Sequence, residues 1–404
     1  MHPGFLLSRA AGALVIVCGA GAAHAQVNVT LSPAQPAVGR GDNVLVSVTL
    51  TNTSNTVQHL LRWRTPQQVL EAPLFEVQRD GQPVRYLGRR IKRAAPGPAD
   101  YLQLAPGAAL THTVELSRFY EMTITGNYTI RYRSPAMPSP GTTVSAVVGE
   151  LASNPVTIWI DGRLPRGSRT TILPESAAPA TGFANCSNAQ QEHLVTAIDA
   201  GRAMATDSQT YLTSGAPYGA RYAMWFGAQD AARGAKVTAN VTAIKDAFEN
   251  KPLKIDCDCD EPYFAYVYPA RPYTVWVCKA FWAAAATGTD SRGGTLLHEL
   301  SHFDVVAATD DHVYGQAAAA EMARSAPQRA INNADSYEYF GENTPRQATV
   351  AKASPPSKEQ RESQGPNIFK HIVQPSIDPD NYKPPTVASI LGADAIPEHD
   401  TPSD

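Results

Sequence analysis

Residues 294–315 read GTLLHELSHFDVVAATDDHVYG and set two histidines four positions apart. Four helical residues turn through about 400°, only about 40° past a full turn, so His298 and His302 share a face. Both imidazoles can then reach one Zn²⁺, with Glu299 beside the metal where a general base sits. HExxH strings also occur in ordinary amphipathic helices, so the third ligand decides the reading. A continuation HExxHxxGxxH would need Gly at 305 and His at 308; the chain has Val305 and Ala308, which removes that class. Glu321, 19 positions after His302, is a second option, but its surroundings, AAAAEMAR, lack the Asn and Asp expected there. An aspartate shortly after the helix is the third, and TDDHVYG offers Asp310 and Asp311.

Working outward, 404 residues give room for about two or three domains. A hydrophobic share of 43% is enough for real cores, and a net charge of -3 points to neither nucleic acid nor an anionic membrane as partner. The start, MHPGFLLSRAAGALVIVCGAGAAHAQ, combines Arg9, a short apolar run and Ala-His-Ala before Gln26, so residues 1–25 read as a secretory signal peptide. A lipid anchor at Cys18 is disfavoured by Val17, which stands where a small residue is needed. Export leaves Cys186, Cys257, Cys259 and Cys278, an even number that favours two disulfides over metal binding by the C-x-C pair.

Residues 26–161 alternate apolar and polar in short runs such as NVLVSVTLTN and NYTIRYRS, separated by turns such as RDGQP. Such spacing predicts an all-β, immunoglobulin-like sandwich. Residues 162–182 are rich in Pro, Gly, Ser and Thr and read as a linker open to processing. Residues 183–345 turn mainly helical, with YFAYVYP and YTVWVCKAFW joined by ARP as a hairpin, giving an α+β domain. The tail, 346–404, is dense in prolines and charges and reads as disordered.

GTLLHELSHF followed by TDDHVYGQAAA resembles the aspzincins, the family of deuterolysin and the peptidyl-Lys metalloendopeptidases. CDC, FAYVYP, VWVCKAFW and NADSYEYFGEN resemble its lysine-specific branch in order and spacing, and the likeness covers roughly residues 186–343. The resemblance implies one Zn²⁺ held by His298, His302 and Asp311, Glu299 as general base and Tyr314 as a phenol at the oxyanion. It further implies the disulfides Cys186–Cys257 and Cys259–Cys278, with Cys257 and Cys259 on one face of a strand but bonded to different partners. His312 is then expected to line the cleft rather than bind metal. Carboxylates at Asp335 and Glu338, three apart and so on one helix face, are implied to bind a P1′ lysine, whose compact charge suits an acidic pocket. The sandwich resembles the propeptide of secreted members more loosely.

The function expected is therefore that of a secreted, monomeric zinc endopeptidase, made as a zymogen and cutting on the amino side of lysine in protein substrates. A broader, deuterolysin-like or toxin-like specificity is the alternative within the family, and an inactive binding protein the alternative outside it. Between Gln26 and Gly182 the only lysine is Lys92, although arginine is common there. A pro-region facing a lysine-directed protease has reason to shed lysines, and Lys92 is a candidate plug for the P1′ pocket. The tail keeps Lys352, Lys358, Lys370 and Lys383, expected sites of self-trimming.

Overall fold

The computed structural model describes residues 26–39, 41–67, 69–138, 147–162, 181–214 and 218–347. The signal peptide, most of the linker and nearly all of the tail read above lie outside them. Every described residue belongs to one unit, within Met1–Val350. That unit mixes helix and sheet.

The N-terminal residues form β-sheets around one core. Val27–Pro33, Leu45–Asn52 and Ala109–Glu115 make an antiparallel three-stranded sheet. A larger sheet follows the order Ala37–Val38, Val156–Ile160, Gly126–Ser134, Phe75–Arg79, Gln82–Pro83. The period-two alternation turns Val46, Val48 and Leu50 of the first sheet and Tyr128, Ile130 and Tyr132 of the second into a shared interior. The RDGQP turn is a two-residue hairpin loop: Asp80 and Gly81 both have positive φ (49° and 80°), and Arg79 pairs with Gln82.

Helices carry the second half. Asn188–Thr213 begins at a capping box in which the Ser187 hydroxyl accepts from Gln190 N–H and the Gln190 side chain returns to Ser187 N–H. Ala231–Asn250 starts at Asp230, and the HExxH helix, Arg292–Ser301, at Ser291. These helices and Ala334–Glu342 bury Leu194, Ile198, Val241, Ile244, Leu297, Leu300, Tyr337 and Phe340 in a second core. Gly294 lets Arg292–Ser301 approach Ala334–Glu342, since a Cβ there would stand 2.2 Å from Glu342 Oε1. Among the described residues no helix is long and apolar enough to cross a membrane.

Ala265–Val267 and Thr274–Val277 pair antiparallel as the expected hairpin. Their sheet runs Gly182–Ala184, Lys254–Asp256, Thr274–Val277, Ala265–Val267, Arg90–Lys92. The last strand comes from the N-terminal half of the chain, so residues 26–161 do not all return to their own sheets. Disulfides join Cys186 to Cys257 and Cys259 to Cys278. The expectation that Cys257 and Cys259 share a strand face is corrected: the strand ends at Asp256. The Asp256 carboxylate accepts from Asp258 N–H and Asn185, turning the chain there, so loop geometry sends the two cysteines to separate partners.

Candidate active site

His298 lies on the HExxH helix and His302 is its C-cap, still in the αR region (φ -72°, ψ -25°), which keeps the two rings on one face. Their Nε2 atoms are 3.1 Å apart. Asp311 Oδ1 lies 3.2 Å from His298 Nε2 and 3.3 Å from His302 Nε2. All three residues are buried, and Asp311 Oδ1 has no hydrogen-bond partner. Such a buried carboxylate oxygen, facing two ring nitrogens, is costly unless a cation completes it. A tetrahedral Zn²⁺ with bonds of about 2.0–2.1 Å holds its ligand atoms roughly 3.3 Å apart, so this donor set fits zinc.

The far side of each imidazole also faces oxygen atoms, though only His302 is hydrogen-bonded there. His302 Nδ1 lies 2.9 Å from the Thr309 carbonyl, which leaves Nε2 free for a metal. His298 Nδ1 lies 3.0 Å from Asp335 and 3.2 Å from Glu338. The loop bearing Asp311 is pinned by Asn333, whose Oδ1 accepts from the backbone of His312 and Val313. Gly315 closes it at φ 88°, where a Cβ would stand 2.6 Å from that of Ala95, and its N–H donates to Asp335 Oδ2 at 2.7 Å.

Glu299 is fully buried, and neither carboxylate oxygen has a hydrogen-bond partner of ordinary geometry. Burial holds its pKa well above the usual range, against the opposing pull of His298 and the nearby backbone N–H of Lys92. Asp310 pairs with Arg90 instead of turning to the histidines. Glu321 is half-exposed and pairs with Arg324. Among the described residues, the groups able to hold a metal are His298, His302 and Asp311, and His298, Asp335 and Glu338. His312 lines a cavity of about 460 Å³ with Arg64, Arg90, Asp310 and Arg329, and burial lowers its pKa to about 4.

Asp335 and Glu338 sit one turn apart on Ala334–Glu342, both fully buried. Between them lies the Lys92 ammonium, 3.0 Å from Asp335 Oδ1, 2.9 Å from Glu338 Oε2 and 3.1 Å from Asp290 Oδ1. The rings of Tyr339 and Phe264 stand 5.3 and 5.6 Å away. Burial works against the ammonium, yet Asp335 and Glu338 outweigh it and raise the Lys92 pKa well above its ordinary value. Tyr314 Oη donates to the Ile91 carbonyl at 2.8 Å, and its ring packs edge-on to Trp63.

Residues 211–342 match the family model described as "Lysine-specific metallo-endopeptidase". The chain is 47% identical to the "Extracellular protease" of Aeromonas hydrophila over 312 residues, 76% of this chain and 90% of that protein. It belongs to the aspzincin metalloendopeptidases. The aspzincin is also 33% identical to the "Peptidyl-Lys metalloendopeptidase" of Armillaria mellea, over 76% of this chain and 89% of that protein. A solved zinc peptidase from Grifola frondosa is 41% identical, covering 40% of this chain and all of its own, with a TM-score of 0.39. The family implies zinc as cofactor.

Three residues at this site went unread in the sequence. Asp290 carries a weak signal, two positions before the helix that begins at Arg292. Arg90 and Arg64 carry none: Arg64 donates to the carbonyls of Asp311 and His312 from 247 and 248 positions away.

Proposed function

We propose that this aspzincin is a secreted zymogen whose processed form hydrolyses peptide bonds on the amino side of lysine. His298, His302 and Asp311 would hold the metal. Bound zinc supplies Lewis acidity, which acidifies water and polarises a peptide carbonyl. Glu299 takes a proton from the attacking water and delivers it to the leaving amine, a role that its burial and raised pKa suit. Tyr314 donates a hydrogen bond to the oxygen on which charge develops. Asp335 and Glu338 receive the P1′ ammonium and, through His298 Nδ1, orient a metal ligand.

One observation carries the reading: a lysine ammonium already sits between these carboxylates, fully buried. The Armillaria relative's name, peptidyl-Lys metalloendopeptidase, agrees with that specificity. In this reading residues 1–25 direct export, residues 26–161 are an immunoglobulin-like pro-region that inhibits through Lys92, 162–182 the processing linker, 183–345 the catalytic domain and 346–404 a removable tail. The Aeromonas relative's name, extracellular protease, and the two disulfides suit export. The test is to digest a denatured protein with the processed enzyme, with and without chelator, and to sequence the new N-termini. Lysine should dominate them, and chelator should abolish them; N-termini without a lysine bias would refute the specificity.

A further inference from the structure

Arg90–Lys92 runs antiparallel to Ala265–Val267, with Lys92 opposite Ala265, Ile91 opposite Tyr266 and Arg90 opposite Val267. Phe264 N–H donates to the Lys92 carbonyl at 3.1 Å. The sheet edge therefore fixes the direction and register of this segment, as β-augmentation fixes a peptide ligand. One peptide group, Ile91–Lys92, meets both the tyrosine and the general base. Its carbonyl oxygen accepts from Tyr314 Oη at 2.8 Å. Its nitrogen lies beside the Glu299 carboxyl. The lysine following it fills the carboxylate pocket, and the residue preceding it is held by a 3.3 Å hydrogen bond from Ile91 N–H to Asp311 Oδ2.

A plug needs only its side chain in the pocket. It has no use for a carbonyl on the tyrosine and an amide against the general base. We propose that Ile91–Lys92 is bound as a scissile bond and is the first bond the enzyme cuts, within its own chain. The inference rests on the lysine-directed reading of the site. Water adds to the Ile91 carbonyl carbon, the C–N bond breaks, and a proton goes to the Lys92 nitrogen, leaving an Ile91 carboxylate and a new Lys92 α-amine. No other reactant is consumed.

The nick does not by itself free the cleft. Leu45–Asn52 pairs with Ala109–Glu115, and Phe75–Arg79 with Gly126–Ser134, so strands on both sides of the cut share the same sheets and core. The two pieces stay together until a further cut removes residues 92–161.

The test incubates full-length chain with zinc, quenches it in chelator and denaturant, and reads masses and N-termini. A piece beginning at Lys92 should form with a half-life independent of chain concentration and elute with its partner piece as one species before denaturation. Glu299→Gln chain should stay uncut, even when mixed with wild type, because its own cleft covers the bond. Cleavage of that variant in the mixture would show an intermolecular event and overturn the proposal. A parallel arm gives a lysine-containing peptide to processed enzyme: no cleavage there sinks the specificity reading. Cleavage there, with Ile91–Lys92 intact in the full chain, sinks this inference alone.

Discussion

The Lys92 ammonium lies 2.9 Å from Glu338 Oε2, and both side chains are fully buried. A buried pair gains little over an apolar pair of similar shape, but removing one partner strands the other. Lys92→Ala would leave Asp335 and Glu338 in a dry pocket facing each other. We expect it to lower the unfolding free energy of the full-length chain by about 3–5 kcal/mol, less whatever the carboxylates recover by taking up protons. The same variant should cut a lysine-containing peptide before processing. Denaturant melts and a peptide assay on unprocessed chain check both; unchanged latency would remove Lys92 from the inhibitory contact.

Asp290 separates specificity from metal binding. Asp335 and Glu338 touch both Lys92 and His298 Nδ1, whereas Asp290 contacts Lys92 and accepts from the Tyr339 hydroxyl at 2.8 Å. Asp335→Asn should therefore reduce the lysine preference and also weaken zinc binding by about 10–100-fold, as loss of an outer-shell partner usually does. Asp290→Asn should lower kcat/KM for lysine about tenfold, an effect near 1.4 kcal/mol, with zinc affinity unchanged. Metal titration alongside kinetics on lysine and leucine peptides distinguishes the two. Equal zinc loss in both variants would contradict this division.

Much of this site was legible because its spacings are local. His298, Glu299 and His302 follow from helical periodicity, and Asp335 with Glu338 from the three-residue step on Ala334–Glu342. Resemblance, not spacing, chose Asp311 over Asp310; the Arg90 ion pair shows what Asp310 does instead. Arg90–Lys92 could not be read as a strand of the peptidase sheet. Three residues carry no useful period, and the partner strand, Ala265–Val267, lies far along the chain. The cysteine geometry failed for a related reason, since Cys257 and Cys259 sit in a loop whose course depends on the Asp256 side chain.

Metal dependence should follow Asp311 and ignore Glu321. Asp311 Oδ1 lies within 3.3 Å of both Nε2 atoms, while Glu321 pairs with Arg324 on a half-exposed helix face. Asp311→Ala should lose stoichiometric zinc and reduce activity by about a thousandfold or more, since Lewis acidity is the main catalytic term supplied from outside the chain. Glu321→Ala should retain both. Zinc content by mass spectrometry under native conditions gives the answer independently of activity, and zinc loss in Glu321→Ala would reassign the third ligand.

Glu342 should make the fold less stable as pH rises. It is largely buried beneath the start of the HExxH helix, where Oε1 accepts from Ser291 N–H at 2.8 Å and Ser291 Oγ at 2.7 Å, and Oε2 from Asp290 N–H at 3.2 Å. Burial, helped by the charge of Glu338 and opposed by the Ser291 hydrogen bonds, raises its pKa from 4.5 to about 8. Between those values the folded chain keeps a proton that the unfolded chain has released, so stability falls as pH rises through the window. Its contribution is complete below about 4.5 and gone above about 8. Glu342→Gln keeps an acceptor for Ser291 and never ionises. In a Glu299→Gln background, which prevents autolysis during the measurement, it should flatten the decline in stability between pH 5 and pH 8. It should also be more stable than its parent at pH 8 by on the order of 1–3 kcal/mol. Urea melts at the two pH values measure the slope directly. Parallel slopes in parent and variant would mean that Glu342 is ionised in the fold across the whole range.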